Sequence, residues 1–398
     1  MQWLTEPLLK GRARAPFWLL VAVTASGTLA MHILVPALPL AASELRVSAG
    51  AIQLAITVYL FGVAGGQLLY GPISDRFGRR PALLIALIAY LAGSVAAGLA
   101  PSLAVLVIAR VVQALGGCGG LVLGRAVVRD SAAPNQAASQ MALLTMVQSL
   151  APGIGPAVGG YLGAWFGWRS IFAALVVLGL VTLISALLSL PETAASRGAG
   201  SGRMLQSYAR LLTSRSFRGF MIGGAFTTTS FYAYLSASPF IFTGLLHRPA
   251  EEVGLYYLAV MAGVPVGSFA ASRLARQVRL SLLLQASSLV CVAGAAIFFA
   301  LTIAGELSVG SLLAAMLVYS VGVGVASPMA LAGAVGGHPQ MIGAASGLYG
   351  FAQMGFGALC TLAVGIWSGH PALTASSVLL AATLLGQLAF RDATRVRP

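Results

Sequence analysis

Twelve apolar runs, each long enough to cross a bilayer as a helix and each closed by a short polar stretch, dominate this sequence. A bilayer core takes roughly 20 residues of helix and leaves no backbone group unpaired, so such a chain folds as a bundle of spanning helices. The first six runs cover about Pro16 to Leu40, Gly50 to Tyr70, Pro81 to Leu99, Ser102 to Gly124, Ala138 to Trp165 and Trp168 to Leu190. The second six cover about Gly219 to Leu246, Val253 to Ala275, Leu280 to Ala304, Val309 to Ala332, Ile342 to Trp367 and Pro371 to Phe390. Only 8% of the 398 residues are charged, where a soluble domain carries roughly 25%. Forty-eight glycines on this background predict helices packed closely through small residues.

A net charge of +14 invites a nucleic-acid reading, but the positions of the charges exclude it. Lys10, Arg12 and Arg14 precede the first run, and Arg76, Arg79 and Arg80 follow the second. Arg125 and Arg129 close the fourth, while Arg197, Arg203, Arg210, Arg215 and Arg218 crowd the mid-chain linker. Arg273, Arg276 and Arg279 follow the eighth run, and Arg391, Arg395 and Arg397 form the tail. Only Arg46, Arg169 and Arg248 fall in loops of opposite parity. That asymmetry predicts a multi-pass protein of the inner membrane with both termini cytoplasmic and its basic face against anionic lipid. Cys118, Cys291 and Cys360 are dispersed in apolar runs and are expected to pack, with no metal set or cofactor. The first run lacks a small-residue cleavage site and is expected to be retained.

Between the second and third runs lies GPISDRFGRRP, Gly71 to Pro81. Gly71 and Pro72 are expected to stop the preceding helix, Gly78 to turn the chain, and Pro81 to open the next helix. Asp75, Arg76, Arg79 and Arg80 would lie against the membrane surface. Within the runs, polar residues recur at helical spacing: Thr24, Thr28 and His32 in the first, Gln53, Thr57 and Gln67 in the second, Arg110 and Gln113 in the fourth. Such stripes are expected to face an interior cavity. The third run is nearly featureless and is expected on the lipid side. Tyr232 and Tyr234, deep in the seventh, are expected to line the cavity, whereas Tyr256 and Tyr257 fit an interfacial belt equally well. Thr145, Gln148 and Gln353 complete the candidate cavity residues. The polar stretch Glu192 to Arg218 divides two sets of six runs, predicting halves at 1–191 and 219–398 joined by a linker at 192–218. GVPVGSFAASRLAR, Gly263 to Arg276, weakly echoes the opening cluster in the second half.

GPISDRFGRR resembles the signature between helices 2 and 3 of the major facilitator superfamily, with Ile73 in place of leucine. Arg110, Gln113 and the following glycines resemble its helix 4 motif. APGIGPAVGG, with Pro152, Gly155, Pro156, Gly159 and Gly160, resembles its helix 5 antiporter motif. RAVVRD at Arg125, FGWRSIF at Phe166, LPET at Leu190 and GAASGLYGFAQ at Gly343 resemble the bicyclomycin-resistance type of drug/proton antiporter. The resemblance spans both halves. It implies an all-α integral membrane fold of twelve transmembrane helices in two pseudo-symmetric halves, and a cytoplasmic gate. There Asp75, Arg76, Arg79 and Arg80 would pair with Arg129, Asp130 and the neighbouring half.

One departure bears on mechanism. That subtype commonly carries an aspartate before PALP, and the matching position here is His32. All nine acids fall in loops, tails or helix ends, so His32, of unperturbed pKa near 6.5, is the candidate proton site. The chain therefore reads as a monomeric secondary transporter, exporting small amphipathic compounds or drugs in exchange for protons. The alternative in the same fold is a dedicated carrier of one metabolite. An enzyme or channel is the remote alternative, because His32, His247, His338 and His370 are dispersed and the acids peripheral.

Overall fold

A computed structural model describes residues 15–131, 134–193 and 201–395. Glu6, Lys10, Arg12, Arg14, Arg197 and Arg397 lie outside the described residues, as do the side chains of Arg203 and Arg395. The first span is α1 (Phe17–His32), a 3-10 turn (Val35–Ala37) and α2 (Leu38–Glu44); Pro36 and Pro39 impose the change of pitch. Then follow α3 (Ala49–Phe77), α4 (Arg79–Gly98), α5 (Leu103–Ser131), α6 (Pro134–Phe166) and α7 (Arg169–Ser189). The linker carries a short helix, α8 (Ser201–Thr213). The seventh span is broken at Ser230 into α9 (Arg215–Thr229) and α10 (Phe231–Phe240), and the eighth at Ala262 into α11 (Ala250–Met261) and α12 (Gly263–Leu274). The chain closes with α13 (Leu280–Ala304), α14 (Val309–Gly336), α15 (Ile342–Ile366) and α16 (Pro371–Arg395). Among the described residues eleven helical stretches are long and apolar enough to span a membrane, and the broken α9–α10 pair supplies the twelfth span.

Two expectations need correction. Gly71 and Pro72 do not stop the second helix: α3 runs through Pro72 to Phe77, and the chain turns only at Gly78, whose φ of 99° suits glycine alone. One lost hydrogen bond near a helix end is tolerated when the next turn continues. The third span is not a mere lipid-side helix either. Its Ile85, Ile88 and Val95 are exposed, but the opposite face buries Tyr90 and Ser94 against α5.

Small residues set the close approaches. A Cβ at Gly27, Gly117 or Gly120 would collide with the facing helix, so α1 and α5 meet nearly backbone to backbone. Gly267 and Gly324 do the same for α12 and α14, which places the Gly263 to Arg276 echo inside a helix contact. The two sets of six spans meet along α3 against α15 and α6 against α11.

Candidate transport cleft and gate

The bundle has two unlike ends. One carries Asp75 to Arg80, Arg125, Arg129, Arg215 and Arg273, and is called the charged end below; the far end carries Arg46, Arg169 and Arg248. At the far end the halves are pressed together. Gly254 backs onto the Pro156 carbonyl and Gly50 onto the Gly365 carbonyl, each with no room for a Cβ, while Gly159 packs α6 just as closely onto the Ile33 carbonyl within the first half. Thr57 and Thr361 share a hydrogen bond of 2.7 Å across α3 and α15.

The α6 seam then opens towards the charged end. Gly153, Pro156 and Gly160 are buried, with Gly153 and Gly160 against α11. The same helical face continues as Ala142, Thr145, Met146 and Ser149, and these are exposed. A cleft therefore opens between the halves on the α6 side at the charged end and closes before the far end, while α3 and α15 stay in contact through Gln67 with Gly347 and Gly350. Thr145 is exposed on this face, and Gln148 beside it is part-buried. The motif residues Gly155, Gly159 and Gly160 form the closed part, with Pro152 and Pro156 inside an unbroken helix.

His32 lies at the closure. Its Nδ1 donates to the Thr28 carbonyl at 2.9 Å, so its Nε2 lone pair faces the Tyr232 hydroxyl at 3.5 Å. The rings stack with centroids 6.0 Å apart and planes 23° from parallel, joining α1 to α10 across the halves. Gly155 of α6 lies against His32 Cβ, leaving the imidazole enclosed and 2% exposed. Tyr234 departs from expectation: it points into the second half, against Phe231, Tyr257 and Phe298, because two residues on from Tyr232 the helix has turned by about 200°. Tyr257 is buried with it and donates to the Leu235 carbonyl at 2.6 Å, whereas Tyr256 bonds Glu252 and Arg248. Gln353 donates to Thr228 Oγ1 at 2.9 Å.

Arg110 is fully buried, in no open cavity. Its Nη1 donates to the Ala30 carbonyl at 2.9 Å and to Gln113 Oε1 at 2.6 Å, and its Nε donates to the Ala55 carbonyl at 3.1 Å. The guanidinium lies 4.0 Å over the Tyr59 ring, and Tyr59 donates to the Gly27 carbonyl. Gln113 passes the bond on to Ser94 at 2.8 Å. The group thus ties α1, α3, α4 and α5 together through carbonyls and an aromatic face, with no acid among its contacts. Gln53 is also buried, and both its amide atoms lack a partner; with Thr57, Thr361 and Gly365 it lines a crevice of about 150 Å³ at the closed end.

At the charged end Arg79 bonds Asp75 at 2.6 Å and Asp130 at 2.9 Å. Glu192, which sequence reasoning passed over, accepts from the Arg79 and Arg80 backbone N–H groups at 2.9 and 3.2 Å and so caps α4. Its place in LPET, at the bundle end shared with the arginine cluster, was the available signal. Arg80 also donates to the Leu187 carbonyl. These links join the first half to itself and to Glu192, the first residue of the linker. Arg129, beside Asp130, is the member that reaches the second half, where it approaches Gly343 at the start of α15. Arg76 stacks over Phe77 instead.

The family model described as Major Facilitator Superfamily matches residues 19–361. Multidrug resistance protein D of Escherichia coli is 30% identical over 93% of this chain and 92% of its own. The bicyclomycin resistance protein homolog of Haemophilus influenzae is 25% identical over 80% of each chain. The crystal structure of a D-xylose-proton symporter superposes with a TM-score of 0.75 at 16% identity, covering 93% of this chain and 96% of that one. The chain belongs to the major facilitator superfamily, in the company of its drug-resistance transporters.

Proposed function

We propose that this protein exports small amphipathic organic compounds from the cytoplasm in exchange for protons, working as a monomer in the inner membrane. The carrying observation is the cleft that closes at His32 and Tyr232 and opens at the charged end along Thr145, Met146 and Ser149. Two of the three far-end arginines are matched by acids, Arg169 by Glu44 and Arg248 by Glu252, whereas arginines outnumber acids at the charged end. That imbalance supports a charged end, and both termini, in the cytoplasm. The closed far end, with the inner end open on the α6 side, then corresponds to an inward-facing state, with 1–191 and 219–398 rocking about the linker 192–218.

His32 is the proton carrier in this reading. With Nδ1 held by Thr28, a proton added at Nε2 meets the Tyr232 hydroxyl and replaces an acceptor with a donor. The Tyr232 hydroxyl must then turn from donor to acceptor, and the charge created in this enclosed, 2% exposed position favours separation of the halves and entry of water. Resistance and accumulation measured over a panel of unrelated compounds, in an efflux-deficient host with and without an uncoupler, test the function. Broad, uncoupler-sensitive efflux is expected; transport confined to one compound, or indifferent to the uncoupler, would refute it.

A further inference from the structure

Arg125 takes no part in the gate network, and the site around it is built for something else. It lies in α5 with Leu121 and Arg129 one turn to either side, and the approach of Arg129 to Gly343 directs this face of α5 at the second half. Arg125 is exposed, although the helix around it is buried at Gly124, Ala126 and Val127. Its neighbour across the cleft wall is Gln148 of α6, whose Oε1 accepts from the guanidinium. Guanidinium has no acceptor, so the Gln148 oxygen must face it and the amide NH2 must point away; that nitrogen is buried and has no partner. No carboxylate is paired with Arg125 among the described residues. Two side chains therefore bring an excess of donors to the wall beside Thr145 and Ser149, with no acid to satisfy them.

We infer that Arg125 and Gln148 form a binding subsite for the carboxylate, or an equally acceptor-rich anionic oxygen group, of an amphipathic organic anion entering from the charged end. Arg125 offers its planar fork and Gln148 its spare N–H, and an apolar body can lie along Met141 and Pro152, part-exposed on the same helical face as Gln148. The export reading supplies the cleft on which this rests, but binding at the subsite is measurable without transport.

The test uses 1-pyrenebutyrate and 1-pyrenebutyramide, equal in body and differing in charge, titrated by fluorescence into full-length protein in phosphatidylcholine nanodiscs, with empty discs as blank. The wild type is expected to bind the carboxylate at least about tenfold more tightly, as charge-assisted hydrogen bonds imply. Arg125→Gln should bring the ratio of dissociation constants to about one, and Arg125→Lys should retain part of it as a point charge without the fork. Equal binding of both probes by the wild type, or an unchanged ratio in folded Arg125→Gln, overturns the assignment. Should that variant fail to fold, Gln148→Glu, which sets a carboxylate beside the guanidinium, should abolish the preference, and an intact preference there overturns it equally. A protein that binds the carboxylate preferentially but shows no uncoupler-sensitive efflux refutes export and leaves the subsite. One that exports neutral compounds yet binds both probes alike refutes the subsite alone.

Discussion

At the scale of single residues, burial sorts the polar side chains in a way their spacing does not. Arg110 was legible as an exceptional residue because a cation inside a spanning helix needs partners. What it would touch was not, since its partners are carbonyls of Ala30 and Ala55 and the ring of Tyr59, which carry no sequence signal. Arg110→Ala leaves those acceptors unpaired and should cost about 2–5 kcal/mol of stability, read as a lower melting midpoint in nanodiscs. An unchanged midpoint would show that water replaces the guanidinium. His32 belongs to the opposite class, because it joins the two halves and contributes little to either alone. His32→Gln keeps an amide near Tyr232 but carries no proton, so proton-driven efflux should fall at least tenfold in vesicles while the melting midpoint stays close to wild type. Efflux at the wild-type rate would remove His32 from the coupling step. Tyr232 and Tyr234 have the same chemistry but stand two residues apart on α10, about 200° round the helix, so one reaches His32 and the other turns into the core of the second half.

Whole elements were more legible than their interruptions. The ninth span coincides with the expected apolar run, because hydropathy reads bilayer thickness directly. Gly71–Pro72 misled because a helix end was read from local chemistry, whereas the decision was made by what lay further on: α3 gains another turn in which Asp75 reaches Arg79. The break between α9 and α10 has the reverse origin. No proline or glycine lies at Thr227 to Ser230 to announce it. It is held instead from another helix by Tyr319, whose hydroxyl donates to the Thr227 carbonyl at 2.7 Å and lies 3.0 Å from Ser230 Oγ. Tyr319→Phe removes that donor with little loss of volume and should destabilise the protein by about 1–3 kcal/mol. A midpoint shift of zero would mean that the break is maintained by packing alone, through the stacked Phe231 and Tyr319 rings.

For the whole molecule, the close approaches decide which motions are possible. Backbone-to-backbone contacts inside each half, such as Gly27 with Gly117 and Gly267 with Gly324, resist shear because any slide drives main chain into main chain. Contacts between the halves towards the far end are reversible among the described residues: a hydroxyl pair, a phenol against an imidazole and a thioether, and glycine seams that separate without tearing hydrogen-bonded helices. Motion should therefore divide at this surface, and pinning it should stop turnover without unfolding either half. Thr57 and Thr361, whose hydroxyls touch, supply the pin. With Cys118, Cys291 and Cys360 replaced by Ala, the pair Thr57→Cys and Thr361→Cys should cross-link under mild oxidation, abolish efflux and recover it on reduction. Each single cysteine should transport under both conditions. Undiminished efflux with the cross-link fully formed would mean that the far end never opens, and the rocking of two halves would have to be abandoned.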